Sequence, residues 1–251
     1  MGALSKQNWE HTVIVKALLF ALVPVLTAAA SGAVAVLRPS GERTTSGLQH
    51  FAAGVVFAAA SIELLPNVLG QSPVVAIVGF AVGIAVMFAF RAGSGLAERR
   101  REARGQAGVP IGLLSATGVD FAIDGVILGA GFRASSDVGA LLTIALAVEY
   151  LFVGLSLSST LTGVVSGAKV ALAPVVLALL TVLGTGLGVV VLQGASPALL
   201  AGVLAFGAVA FMYLATEELL VQAHESGETA LGSVGFFLGF LLYLVLHQLV
   251  G

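Results

Sequence analysis

The sequence predicts an all-α integral membrane protein, a bundle of eight transmembrane helices laid out as a 3+2+3 inverted repeat. Three observations predict it. Of the 251 residues, 58% are hydrophobic and only 10% charged, with a mean hydropathy of +1.07, whereas roughly a quarter of an average soluble chain is charged. Eight stretches reach the roughly 20 apolar residues a helix needs to cross the hydrocarbon core. They use nearly all of residues 1–251 as one domain and leave no sizeable soluble part. Finally, the chain echoes itself. Gly32-Ala-Val-Ala-Val returns as Gly188-Val-Val-Val, Glu63-Leu-Leu-Pro as Glu218-Leu-Leu-Val, and Val78-Gly-Phe-Ala-Val-Gly83 as Val234-Gly-Phe-Phe-Leu-Gly239, at offsets of 156, 155 and 156. A constant offset across three matches marks an internal repeat. With two spans between three-span copies, the copies must run in opposite directions, which is a transporter architecture.

Spans 1–3 cover about 12–91. The first, about 12–37, is too long for a signal-peptide core and no clear cleavage motif follows it, so it is a retained span; Pro24 is expected to kink it. The second, about 48–68, carries His50 near one end and Glu63 near the other. The third, about 73–91, leads into a loop at about 92–109 with Arg91, Arg99, Arg100, Arg101 and Arg104. Placing that loop in the cytoplasm puts Arg38, Arg43 and Lys169 on the same side, against Lys6, Lys16 and Arg133 on the other. The eight-to-three split obeys the positive-inside rule, and it sets a multi-pass protein of the cell membrane with both termini outside. The Arg-rich run itself reads as a topology signal and solvated linker, with anionic-lipid binding as the sharper alternative.

Spans 4 and 5, about 110–162, lie between the repeats and hold the unusual residues. Asp120 and Asp124 sit in the middle of the stretch at about 110–132, and Glu149 in the middle of that at about 137–162. Each acid at bilayer depth costs roughly 2.5–3.5 kcal/mol on insertion scales. Asp120 and Asp124 are four apart and share a helix face. The two spans are antiparallel, so Glu149 reaches the same depth. Three converging carboxylates make a hard-oxygen site for a divalent cation, to which the hydroxyls of Thr117, Tyr150, Ser156 and Ser158 are close enough in sequence to add. Gly125, Gly129 and Gly154 are expected to let these two helices pack closely beside the ligand. A proton-sharing structural pair is the plainer alternative for the aspartates.

Spans 6–8 cover about 169–250, as 169–192, 197–220 and 230–250. The repeat relates Glu63, in the outer third of span 2, to Glu218 near the inner end of span 7. The pair suits one acid at each mouth of a path. Glu217 reads as an interfacial charge, and His224, Glu225 and Glu228 as a polar loop after span 7. His11 and His247 fall near helix ends. There is no cysteine, which excludes disulfides and thiolate metal ligands.

At these residues the chain resembles the ZIP family of divalent metal transporters. That family carries an H-N-x-P-E-G motif in span 4 and a related H-E-x-P-E-G motif in span 5. Here Asp120-Phe121-Ala122-Ile123-Asp124-Gly125 puts Asp124 and Gly125 on the motif glutamate and glycine, with Asp120 in the histidine position. Glu149-Tyr150-Leu151-Phe152-Val153-Gly154 puts Glu149 in the histidine position and Val153 where the second motif has its glutamate. Thr181-Val182-Leu183-Gly184 stands where the family often has an acid in span 6. The resemblance implies a ZIP-like bundle and a transported divalent metal, zinc or, with both imidazoles replaced by carboxylates, manganese or another harder ion. It implies one site where the family has two. The metal ligands expected are Asp120, Asp124 and Glu149, with Glu63 and Glu218 along the path. No catalytic cofactor and no enzymatic activity are expected. The partners are the lipid bilayer and the cation, not nucleic acid, while coupled protons and a homodimer stay open. Two other functions compete. One is a proton- or cation-coupled carrier of another solute, which needs a roomy polar cavity. The other is an intramembrane aspartyl protease, which needs its aspartates on different helices.

Overall fold

Eight helical units account for nearly all of the computed structural model, which describes residues 2–37, 42–103, 109–225 and 230–250. They are α1 (Gly2–Leu37), α2 (Glu42–Ala59, continuing through Ala60–Leu64 and Leu65–Leu69), α3 (Pro73–Ala103), α4 (Ile111–Ala134), α5 (Ser136–Leu161), α6 (Gly167–Val191), α7 (Pro197–Tyr213, continuing through Leu214–Leu219 and Leu220–Glu225) and α8 (Ala230–Val250). Seven contain spans long and apolar enough to cross a membrane, and α8 contributes a shorter apolar helix, Val234–Val250. The connections are cheap in residues. Ser135 alone separates α4 from α5, and its side chain accepts from the Val138 N–H to cap the second helix. Ser196 does the same for α7 through Leu199.

Two boundaries differ from the sequence reading. The segment expected as a loop from residue 92 continues α3 as helix to Ala103, because its Ala, Glu and Arg residues are strong helix formers once past the apolar span; residues 104–108 lie outside the described residues. His224, expected in a loop, is helical and belongs to α7. Glu228 and Arg38 lie outside the described residues. Pro24 stays inside an unbroken helix, with its carbonyl accepting from the Thr27 hydroxyl.

Helix packing repeats in the way the sequence echoes do. α1 packs on α5 and α6 on α4; α2 packs on α8 and α7 on α3; α2 meets α5 and α7 meets α4. Exchanging α1 with α6, α2 with α7, α3 with α8 and α4 with α5 turns each packed pair into its counterpart. The close approaches obey the same exchange: Gly79 has no room for a Cβ against the Gly202 carbonyl, and Gly235 is tight against that of Gly47. The densest packing divides the bundle into two four-helix groups, α1/α4/α5/α6 and α2/α3/α7/α8. α2, α5 and α7 are the most buried spans and α3 the least. Large apolar side chains such as Leu19, Leu26, Ile77, Phe88 and Phe237 point outward, as lipid contact requires.

One shared irregularity stands out. α2 is π-helical over Ala60–Leu64 and α7 over Leu214–Leu219. The two segments occupy the same register of the repeat, and each contains the acid the echo aligned, Glu63 and Glu218. A π-turn inserts an extra residue, leaves backbone groups poorly paired and is frequently found at functional sites.

Candidate metal centre

The centre is built from the middle of α4 and the middle of α5. The one-turn spacing of Asp120 and Asp124 puts both carboxylates on the same face of α4, and antiparallel packing of α5 delivers Glu149 to them. One ligand oxygen from each lies within 4.8 Å of the others. These are the three acids that the sequence places at one depth. Asp124 is 1% and Glu149 0% exposed, while Asp120 is half-buried at the edge.

The surroundings are apolar except at named points. The hydroxyl of Tyr150, the residue after Glu149, lies 3.2 Å from Asp124 Oδ2 and hydrogen-bonds with the Thr181 hydroxyl of α6. Thr181 in turn donates to the Phe121 carbonyl at 3.0 Å. The rings of Phe121 and Tyr150 stack with centroids 3.7 Å apart and planes 17° off parallel. Two motif positions expected to be polar are therefore filled by an aromatic stack, clamped by Thr181 where the family often has an acid. Neither oxygen of Glu149 has a hydrogen-bond partner. A buried carboxylate without a donor is costly; a cation, or a proton shared with the neighbouring Asp124 carboxyl, would satisfy it.

A cavity of about 280 Å³ reaches the centre at Asp120. It is lined by Thr117 and Asp120 of α4, Val153 and Ser156 of α5, and Glu218 and Gln222 of α7, with Met87 and Phe90 of α3 at its wall. All of these lie toward the end of the bundle where α3 carries its Arg-rich extension. On the opposite side of the acids, Ile127, Leu128, Leu142 and Leu146 are fully buried and leave no comparable opening among the described residues. The cavity's 280 Å³ falls just below the range of pockets that hold drug-sized molecules, so a larger organic cargo is disfavoured.

The remaining sequence candidates separate into two places. Glu218 lines the cavity with Asp120 and is close enough for its charge to act on all three acids. Glu63 does not join them. It is buried in the π-segment of α2 and pairs with His247 of α8 at 2.6 Å. Of the four hydroxyls expected nearby, Tyr150 bonds Asp124 and Thr117 and Ser156 line the cavity, but Ser158 turns to the Val170 carbonyl. The glycines also act elsewhere than expected. Gly125 and Gly129 meet Thr181 and Thr185 of α6, and Gly154 meets Ser31 of α1 and Pro174 of α6, because α4 packs most closely on α6 and α5 on α1. Gln222 escaped the sequence reading, although its place four residues after Glu218 marks the same helix face. It accepts from Gln49 and Ser156. Arg91, read as part of a topology signal, also pairs with Glu217 at 2.6 Å.

Because Tyr150 orients a ligand rather than supplying an essential one, Tyr150→Phe is expected to weaken cation binding about tenfold, the low end for loss of an outer-shell partner. Equilibrium dialysis with Mn or Zn checks this, and unchanged affinity would show that the hydroxyl does not orient Asp124.

An all-α bundle of membrane-length apolar helices with three carboxylates gathered inside it has the architecture of a membrane transport protein. The family profile described as ZIP Zinc transporter matches residues 96–247, more than half of the chain, and the chain belongs to that family. No curated protein matches it.

Proposed function

We propose that the chain carries a divalent metal cation across the membrane by alternating access, with Asp120, Asp124 and Glu149 as the ligands. The observation that carries this reading is the donor-free carboxylate of Glu149 buried against the two aspartates. Three carboxylates bring more negative charge than a divalent ion cancels, so a bound cation leaves the group far better balanced than an empty one. Glu218 is the station between the cavity mouth and the ligands. With the Arg-rich end in the cytoplasm, as the lysine and arginine bias favours, this conformation opens inward. Family membership makes a non-enzymatic role the natural one.

All three ligands stand on α1/α4/α5/α6, and none on α2/α3/α7/α8. The packing therefore favours movement of the first group against the second.

The test is uptake by the purified chain in liposomes against a panel of divalent ions. Uptake is expected, with Mn competing well against Zn, because carboxylate oxygen suits the harder ion and imidazole the softer. Asp120→His should move the Zn-to-Mn preference toward Zn by about tenfold, the equivalent of ~1.4 kcal/mol in one ligand contact. An unchanged preference would remove Asp120 from the ligand set, and wild-type liposomes that take up no divalent ion would sink the reading.

A further inference from the structure

We propose that Glu63, His247 and Tyr243 form a second divalent-metal site, at the opposite end of the bundle from the cavity, that takes a zinc-like ion through a carboxylate oxygen, an imidazole nitrogen and a phenol oxygen. The site does not depend on the reading of the Asp120–Asp124–Glu149 centre. Asp137, in the first turn of α5, is close enough to act on Glu63 and is twelve residues from Glu149 on the same helix, about 18 Å along its axis.

Three observations converge. Glu63 Oε1 and His247 Nδ1 are 2.6 Å apart, with the glutamate side chain 4% and the imidazole 33% exposed, so a carboxylate and a ring nitrogen already face each other at a point an ion can reach. Tyr243 is 0% exposed, and its hydroxyl has no hydrogen-bond partner. It lies four residues before His247, one turn away on the same face of α8. A buried phenol oxygen without a partner calls for an explanation, and a metal between it and the Glu63–His247 pair supplies one. Lastly, Glu63 is presented from the π-segment of α2, a distortion that re-aims a side chain out of the regular helical register.

The repeat provides an internal control. Its offset of 156 places Arg91 opposite His247 and Met87 opposite Tyr243. In that second copy the π-segment of α7 is again paired with a nitrogen of the neighbouring helix, Arg91 with Glu217. A guanidinium has five donors and no lone pair to give, so that end is a fixed ion pair. The chain differs between its two copies at the residues that decide whether the pair can hold a metal. One carboxylate with one nitrogen and one further oxygen suits zinc or a comparable borderline ion better than the all-carboxylate centre does.

The experiment measures zinc bound per chain by equilibrium dialysis on the full chain in detergent. It compares wild type with His247→Arg, whose guanidinium can pair with Glu63 but cannot ligate, and with a variant carrying Asp120→Asn, Asp124→Asn and Glu149→Gln. His247→Arg is expected to lose one zinc, in the wild-type and in the triple-variant background alike, and Tyr243→Phe to weaken that zinc severalfold. If His247→Arg binds as much zinc as wild type in both backgrounds, the proposal is overturned. If the triple variant keeps the wild-type amount while His247→Arg loses one ion, the carboxylate centre has been misread and this site stands. Should the arginine variant fail to fold, His247→Gln, which removes the ligating imidazole, is expected to lose the same zinc, and full zinc binding by it would equally overturn the proposal.

Discussion

Glu149→Gln is expected to abolish cation uptake and, in the absence of metal, to make the protein more stable. The two effects come from one feature. Wild type buries Glu149 at 0% exposure with no donor to either oxygen, beside Asp124 and Asp120. A glutamine there removes one of three clustered acids and adds an N–H₂ that can donate to Asp124. A buried hydrogen bond to a charged group contributes about 1.5–3 kcal/mol. At the scale of a chain this size, each kcal/mol raises Tm by about 2–4 °C. Transport moves the other way. Removing a ligand should cost more than the 10–100-fold that follows loss of an outer-shell partner, so uptake should fall about 100-fold or further. Asp124→Asn should match it in transport, since Asp124 keeps the acid of the family motif. Adding Mn, the ion the carboxylate centre favours, should then raise the Tm of wild type, as any ligand that binds only the folded state does, and raise that of Glu149→Gln far less. Thermal unfolding with and without metal, run beside liposome uptake, reads both. A variant that is less stable without metal, or one that still transports, would contradict the assignment of Glu149 as a ligand.

The parts of this fold that were legible in the sequence are those set by the membrane. Lipid forces long apolar helices, so eight spans could be counted. It penalises buried charge, so Asp120, Asp124 and Glu149 stood out, and antiparallel neighbours with short connections brought them to one depth. The offset of 155–156 similarly anticipated which helices would be paired in the packing. What could not be read was the choice of neighbour for each small residue. Gly125 sits beside the acids in sequence, and nothing in its surroundings says that it faces α6 rather than α5. Side-chain pairs across helices were hidden for the same reason. Arg91 looked like one of a run of topology-setting arginines, and His247 like an interfacial histidine at a chain end, yet each meets an acid more than 120 residues away. The π-segments were invisible too, because Ala60–Leu64 and Leu214–Leu219 have ordinary helical composition. Only the aligned glutamates inside them hinted that these turns were special.

Gly184→Val is expected to prevent the chain from reaching its folded state in the membrane. α4 and α6 pack backbone against backbone. Gly125 and Gly129 of α4 lie against the backbone at Thr181 and Thr185, and Gly184 and Gly188 of α6 lie against the backbone at Ala122 and Val126. The two glycines on each helix are four residues apart, so backbone rests on backbone along one seam, the arrangement by which small residues drive helix association in lipid. A Cβ on Gly184 has no place to go, because its obstacle is the Ala122 carbonyl and the Gly125 Cα rather than a side chain that can swing aside. Overpacking of an ordinary core costs about 1–3 kcal/mol, and rigid backbone on both sides puts this case at or above the top of that range. Separating the helices also withdraws Thr181 from Tyr150 and the Phe121 carbonyl, so any protein that does fold should bind cations less well. Gly93→Ala, on α3 with nothing within 4 Å of the added carbon, should fold normally and gain about 0.8–1.0 kcal/mol of helix propensity. Size-exclusion profiles and thermal unfolding of the two variants in detergent separate the cases. A Gly184→Val protein as well folded as Gly93→Ala would mean that α4 and α6 are not in backbone contact.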